Sequence, residues 1–356
     1  MSGPLVAPDI QRSFSLSADW LEILALARPQ QSATDGDIAT ANDILEDRAA
    51  FVAEDLDPDA PEDDPDIVDP ATERALDAVF EEIANRKRVL GDAYPFDLTI
   101  TKRRLSLVVS KASENELVQQ GRAIYVACLY MTGIRGGLIN AKAAKLRADP
   151  DMGNAFQICA TIAAAGYMSG DAYWFGHPRP DQTPFIEAVR KLASLLRQGT
   201  PAPAAPPGET IYAKDGGIDV VAWRDHHDGR PAKLIMYGQC ASGMDWVGKP
   251  VKGKVDRMDS FYTLTPSKHW IPALLTPFPL YSEKENAHRL RTEDAMNGFY
   301  RQNEAEMGVI IDRLRVVRWS MEALRDVQPS VKDAVDKLDD LFVWSKTASD
   351  AVRLAA

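Results

Sequence analysis

The sequence predicts an α/β fold, in which a mixed sheet is flanked by helices and helical segments are added at both ends of the chain. Residues 218–223 and 233–237 are rich in β-branched and aromatic side chains and are separated by a polar turn, which indicates two paired strands. Residues 120–133, 154–170 and 185–197 are instead apolar throughout or carry apolar side chains at helical spacing. Strand-like and helix-like segments along one chain favour a layered α/β core.

The composition limits the class of protein. The chain has 356 residues, of which 45% are hydrophobic, so it can form one large domain or two modest ones. Its net charge of -11 argues against a general nucleic-acid coat protein, because such proteins bind by neutralising phosphates. Its 3 cysteines lack metal-binding spacing and predict reduced core residues of a cytoplasmic protein. No apolar run approaches the roughly 20 residues of a membrane span, so we expect no membrane partner.

We expect three regions. Residues 1–110 should form a helical and hairpin region, interrupted by a linker at 46–69 that is dense in Asp, Glu and Pro. Residues 111–280 should form the α/β core, and residues 281–356 a helical layer. Within that layer, the apolar pattern over 307–317 predicts part of a helix.

Local signals predict elements in the first region. Ser17 is expected to cap the first helix, which should stop at Arg28 because Pro29 follows it. Residues 94–100 and 105–109 predict a strand hairpin.

The stretch 209–254 contains the polar groups that suggest chemistry. Apolar residues occupy both alternating sets of positions around Asp219, so its strand should be covered on both faces and its carboxylate should need a partner or a metal. Gln239 lies near the end of the next predicted strand. Because side chains alternate along a strand, Gln239 and Ala241 should share one face and Cys240 should take the other.

The residues Gly217-Ile218-Asp219-Val220-Val221, followed by Tyr237-Gly238-Gln239-Cys240, resemble the active-site strands of the PD-(D/E)XK nuclease superfamily. In that family, an aspartate on one strand is paired with a Glu or Gln-x-Lys tripeptide on its neighbour, and the two acceptors hold one or two Mg²⁺ ions. The resemblance therefore implies a restriction-endonuclease-like fold, with Asp219 and Gln239 as catalytic metal ligands for Mg²⁺, or for Mn²⁺ as the alternative.

The chain departs from the family pattern at the lysine of the tripeptide, where Ala241 stands. Lys249 is the first candidate for the missing ammonium, because a turn or helix starting at Gly243 would swing its long side chain back toward Gln239. The alternatives are Lys214, Lys252 and Lys254.

The resemblance also suggests a third acid, since the helix that begins the core of these nucleases often donates a glutamate to the site. Glu187 is the one carboxylate on the predicted helix 185–197, although it falls roughly opposite the leucine stripe. Glu209, ahead of the strands, is an alternative metal ligand, as is Asp215.

The function that the resemblance implies is a metal-dependent DNA endonuclease, acting as the effector of a bacterial restriction or antiphage defence system. The acidic net charge favours a partner, such as an ATPase or helicase, that delivers DNA, and a homo-oligomer is left open. The alternative is a catalytically degenerate nuclease fold that serves as a DNA-binding or scaffold subunit of a multi-protein defence complex. In a third interpretation, Asp219 and Gln239 form a satisfied polar pair without any catalysis.

Overall fold

The structure is a computed structural model. It describes residues 5–10, 13–42, 70–101, 104–142, 144, 146, 151–206, 216–243, 246–279 and 293–355. The described helices are α1 (Phe14–Ala27), α2 (35–42), α3 (Pro70–Leu90), α4 (Glu116–Arg135), α5 (Asp151–Met168), α6 (Phe185–Leu196), α7 (Lys252–Asp259), α8 (Glu293–Met307), α9 (Arg313–Arg325), α10 (Lys332–Val335) and α11 (Leu338–Ala355).

The described strands form three sheets. They are β1 (Ser32–Thr34), β2 (Phe96–Thr101), β3 (Arg104–Val109), β4 (Asp171–Trp174), β5 (Thr200–Pro201), β6 (Val220–Arg224), β7 (Leu234–Cys240), β8 (Tyr262–Leu264), β9 (Trp270–Leu275) and β10 (Val309–Ile311). The small sheets are β1-β3-β2 and β5-β8. The predicted hairpin of residues 94–109 is confirmed as the antiparallel pair β2 and β3.

The central sheet has the strand order β10-β9-β7-β6-β4, so its strands lie side by side in chain order. β6 runs antiparallel to β4 and to β7, whereas β7, β9 and β10 are mutually parallel. The predicted pairing of the strands around 218–223 and 233–237 is therefore confirmed, as is the α/β class with a mixed sheet and flanking helices.

Helices cover both faces of the central sheet. On one face, which we call the α5 face, Val220, Ala222 and Met236 belong to a buried cluster with residues of α1, α4, α5 and α9. On the other, which we call the α6 face, Val221 and Tyr237 belong to a cluster with residues of α6 and α7. A sheet buried on both faces explains why its strands read as nearly continuous apolar runs.

The helical segments at both ends of the chain share a core with the sheet. The cluster on the α5 face extends from Ile10 to Val352. Helices α5 and α9 approach closely at Gly166, where an added Cβ would lie 1.8 Å from the carbonyl oxygen of Trp319. A side chain of any size would push the two helices apart, so glycine permits this contact.

Two local predictions were wrong. Residues 309–311, predicted within a helix, form strand β10 beside β9. Gly308 precedes this strand with φ +70, and an added Cβ would lie 1.9 Å from the carbonyl oxygen of Pro272, so the chain turns sharply there. The N-cap of α1 is Ser13 rather than Ser17, since the Ser13 side chain accepts the N–H of Leu16.

Three further predictions concern the acidic linker, the cysteines and the possibility of a membrane span. The linker predicted at 46–69 lies outside the described residues. Cys128 and Cys159 are buried, Cys240 is half-buried, and all three have free thiols. In the described part of the chain, no helix combines the length and the apolar character that crossing a membrane would require.

Candidate active site at one end of the central sheet

The strand directions bring several polar segments to one end of the central sheet. Trp174 at the end of β4 and Gly238 near the end of β7 both pair with Val220 at the start of β6. The ends of β9 and β10 follow in register, because Leu275 pairs with Cys240 and with residue 311. We call this place the site end of the sheet. Ligands of open α/β sheets bind outside the carboxyl ends of strands, so the site end is the natural place for chemistry.

Asp219 lies at the site end, directly before β6, and is half-buried. Its backbone N–H donates to the carbonyl of Gly238 at 2.8 Å, and its own carbonyl accepts the N–H groups of Phe175 at 2.9 Å and Gly176 at 2.7 Å. One carboxylate oxygen, Oδ2, accepts the backbone N–H of Cys240 at 2.7 Å. Asp219 is thus held by the strands on either side of β6, and its carboxylate is fixed against β7.

The other carboxylate oxygen, Oδ1, lies beside Gln157 of α5. A Cβ added to Gly176 would lie 2.7 Å from Asp219 Oδ1 and 2.5 Å from Gln157 Oε1. The two oxygens therefore approach the same small space, which is open because residue 176 has no side chain. Gln157 is buried, and its amide accepts the indole N–H of Trp174 and donates to the carbonyl of His177 at 3.3 Å.

Gln157 was missed in the sequence. The available signal was an amide side chain within the strongly apolar segment 154–170, and the sequence does not indicate which residue that amide meets. The helix predicted to open the core was 185–197, whereas the helix that reaches Asp219 is α5.

Gln239 lies on β7 at the site end, one residue before Cys240. Its Oε1 is buried and accepts no hydrogen bond from the residues that the structure describes. Such an acceptor is unusual in a folded protein, because burial without a donor costs free energy. The predicted alternation is confirmed, since Tyr237 and Ala241 lie in the cluster of the α6 face and Cys240 packs against the cluster of the α5 face.

Ala241 is fully buried, so the family position of the lysine has no ammonium in this chain. The side chain of Lys254, on α7, packs against the backbone at Gly217. A Cβ added to Gly217 would lie 2.8 Å from Lys254 Cδ. Lys254 therefore reaches the segment that ends in Asp219, two residues further along the chain.

The other candidate lysines are placed differently. Lys249 is half-buried and follows the short 3-10 turn Trp246–Gly248, whereas Lys252 is exposed at the start of α7. Lys214 lies outside the described residues.

The structure does not bring Glu187 to the site end. Its side chain is 53% exposed on α6 and pairs with Arg190 of the same helix. Glu209 and Asp215 lie outside the described residues. Within the ranges that are described, no group of three or more His, Cys, Asp or Glu side chains is arranged to hold a metal.

The oxygens that do lie at the site end are of a kind that suits a hard cation. Asp219 places a carboxylate oxygen near the amide oxygen of Gln157, and Gln239 adds a buried amide oxygen that accepts no hydrogen bond from the described residues. Carboxylate and amide oxygens are ligands that Mg²⁺ and Mn²⁺ prefer over soft donors. The chemistry of these oxygens is therefore compatible with a Mg²⁺-type ion.

A second polar cluster is buried between the helices and serves the fold. Arg86 donates to Asp19 at 2.7 Å, to Glu22 at 3.0 Å and to Glu82 at 2.7 Å. Burial favours a raised pKa for Asp19, but the adjacent Arg313 and Arg86 outweigh it and lower the pKa. All five side chains are almost fully buried, so they are out of reach of a substrate.

Comparison of the chain with protein-family models, with curated proteins and with solved structures gave no match.

Proposed function

We propose that this protein is a metal-dependent phosphodiesterase with a restriction-endonuclease-like core, and that it cleaves DNA at the site end of the sheet. The observation that carries the proposal is that the Asp219 carboxylate is fixed on the Cys240 N–H, directly after Gln239, whose buried Oε1 accepts no hydrogen bond from the described residues. Asp219 stands directly before β6, and Gln239 lies on the neighbouring antiparallel strand β7, which is compatible with the nuclease resemblance. A mixed five-stranded sheet with its strands in chain order is compatible with that core.

The residues have separate roles in this proposal. Asp219 and Gln239 would hold Mg²⁺ or Mn²⁺, and the amide oxygen of Gln157 lies in the same small space as Asp219 Oδ1. When bound, such an ion polarises a phosphate and lowers the pKa of the attacking water. The ammonium of Lys254, or of Lys249, would stabilise the negative charge that develops on the phosphate.

The wider context is also proposed from the resemblance and the charge. A net charge of -11 opposes unaided binding to DNA, because the two polyanions repel each other. We therefore infer that a partner such as an ATPase or helicase delivers the DNA, as expected for a cytoplasmic effector of a bacterial defence system.

One observation favours a second candidate function, a non-catalytic DNA-binding or scaffold subunit. The position of the family lysine is the buried Ala241, and one oxygen of Asp219 is already engaged by the Cys240 N–H at 2.7 Å. A site that has lost its chemistry would keep such internal hydrogen bonds while it no longer needs an ammonium.

Cleavage of plasmid and linear DNA by the purified protein, with Mg²⁺, Mn²⁺ or EDTA, tests the proposal. Asp219→Asn keeps the size of the side chain and an acceptor for the Cys240 N–H, and should abolish cleavage. Asp228→Asn, in the exposed turn at the opposite end of the same two strands, is the matched control and should cleave like the parent. Equal cleavage by Asp219→Asn would reject the site. DNA binding that needs no metal, together with an absence of cleavage whether or not an ATPase partner is present, would favour the binding subunit.

A further inference from the structure

An open cavity lies away from the site end, between α4, the β2–β3 hairpin and α11. Its volume is about 400 Å³. Small-molecule sites have volumes of roughly 300 to 1,000 Å³, so this cavity is large enough for an organic ligand. It shares no residue with the site end, and the proposed phosphodiesterase chemistry makes no use of it.

The cavity is positively charged although the chain is acidic. Arg122, Lys346 and Arg353 line it, together with one acid, Asp350. None of the three cations forms an ion pair with a carboxylate in the described part of the chain. In a chain with a net charge of -11, a cavity with three such cations attracts an anion.

The arginines are held in place by the backbone around them. Arg122 donates to the carbonyl oxygens of Asp92 at 2.7 Å and Lys111 at 2.6 Å, and Arg353 donates to the carbonyl oxygen of Leu26 at 2.9 Å. Because these bonds fix the guanidinium groups before any ligand arrives, little side-chain freedom would be lost on binding.

The rest of the lining has two kinds of surface. The apolar residues are Leu26, Pro95, Val109, Ala123, Val126 and Phe342. The hydroxyl groups of Ser113, Ser345 and Ser349 also line the cavity and can donate hydrogen bonds to an anion. A ligand that matches both surfaces has an apolar body and one anionic head.

We propose that this cavity binds a small amphipathic organic anion, with its head held by Arg122, Lys346 and Arg353 and its apolar body lying against the α4 side of the cavity. A neutral molecule of the same shape would leave the cations without a partner. An inorganic anion would leave the apolar surface unfilled. Both halves of the ligand are therefore needed for binding.

Titration calorimetry of the full chain with octanoate, octanamide and inorganic phosphate tests this inference. Octanoate should bind at least about tenfold more tightly than either of the others, since charge-assisted hydrogen bonds and apolar burial both contribute. The double variant Lys346→Gln/Arg353→Gln should weaken octanoate binding about tenfold, whereas Lys268→Gln, an exposed lysine elsewhere, should not. Ala123→Phe should fill the cavity and abolish binding, with its thermal unfolding checked against the parent.

Three results would overturn the inference. They are an absence of octanoate binding up to its solubility limit, equal affinities for octanoate and octanamide, and unchanged binding by a folded Ala123→Phe variant. Displacement of the fluorescent anion 8-anilinonaphthalene-1-sulfonate by octanoate gives a second readout that does not depend on DNA cleavage.

Discussion

Asp19 and Arg313, which are 294 positions apart in the chain, form a two-point ion pair at 2.7 and 2.8 Å in the protein interior. Arg313 is the first residue of α9 and also donates to the carbonyl oxygen of Pro277 at 3.0 Å and to the hydroxyl of Thr132 at 2.7 Å. The pair therefore joins α1, α4 and the start of α9. Arg86 shares the same carboxylate and is also paired with Glu22 and Glu82.

Asp19→Asn should destabilise the protein by about 3 to 5 kcal/mol, because it leaves two buried guanidinium groups without their shared anion. Urea unfolding measures the change. Glu322→Gln, which removes one member of an exposed pair with Arg325, should change the free energy of unfolding by no more than about 0.5 kcal/mol. A loss below about 1 kcal/mol for Asp19→Asn would contradict a structural role for the cluster.

The contact between α5 and α9 gives a second prediction. Gly166→Ala should lower the free energy of unfolding by about 3 kcal/mol, because the new methyl group would meet the backbone oxygen of Trp319 rather than a movable side chain. Gly153→Ala, on the same helix with no atom within 4 Å of the new Cβ, should be neutral or stabilise by up to about 1 kcal/mol. Equal effects of the two substitutions would show that the helices do not approach this closely.

The oxygens at the site end predict the behaviour of residue 176. Gly176→Ala places a methyl group 2.7 Å from Asp219 Oδ1 and 2.5 Å from Gln157 Oε1, so these oxygens must move. Mn²⁺ affinity, followed by electron paramagnetic resonance without DNA, should fall at least about tenfold, as for other changes that disturb the orientation of metal ligands. Gly153→Ala serves as the control. An unchanged Mn²⁺ affinity in Gly176→Ala would show that the metal does not bind in the space beside residue 176.

Lys254→Met should lower the single-turnover rate of DNA cleavage by about 10² or more, the scale seen when an electrostatic stabiliser is lost. Lys252→Met, in which an exposed lysine of the same helix is changed, should cleave at the parent rate. Lys249→Met tests the candidate that the sequence favoured. A large effect of Lys249→Met alone would assign the catalytic ammonium to Lys249. Full activity in all three variants would require a mechanism without these lysines.

Acid should weaken one ion pair of the loop before α6. Partial burial favours a raised pKa for Asp181, but hydrogen bonds from Lys191 at 2.7 Å and from Thr183 at 3.0 Å outweigh it and lower the pKa to about 2. Because the folded pKa lies below the unfolded value of about 3.9, the pair stabilises the fold above pH 4 and loses its effect as the pH falls toward 2.

Lys191→Met should therefore raise the pKa of Asp181 and flatten the dependence of stability on pH in this window. Chemical shifts of the Asp181 carboxyl carbon, followed from pH 6 to pH 1.5, measure the pKa. A pKa that is the same in parent and variant would show that Lys191 does not set it.

Patterns along the chain determined the parts of the fold that depend on neighbouring residues. The pairing of β6 with β7 and the alternation of Gln239 and Cys240 follow from the side-chain period of a strand, which is visible in the sequence. The burial of Leu192 on α6 follows from helical spacing in the same way. The absence of a lysine at residue 241 was also evident without coordinates.

Only the tertiary structure decided which distant residues meet. Residues 309–311 carry an apolar pattern that suits a helix or a short strand, and a place beside β9 made them a strand. Gln157 of α5 lies near Asp219, whereas Glu187 remains exposed on α6, paired with Arg190. A charged residue such as Arg313 is expected at the surface from sequence alone, yet Arg313 is buried and pairs with Asp19 of the first helix. Contacts across such separations depend on how whole helices pack against the sheet, and the local periodicity of the sequence does not specify that packing.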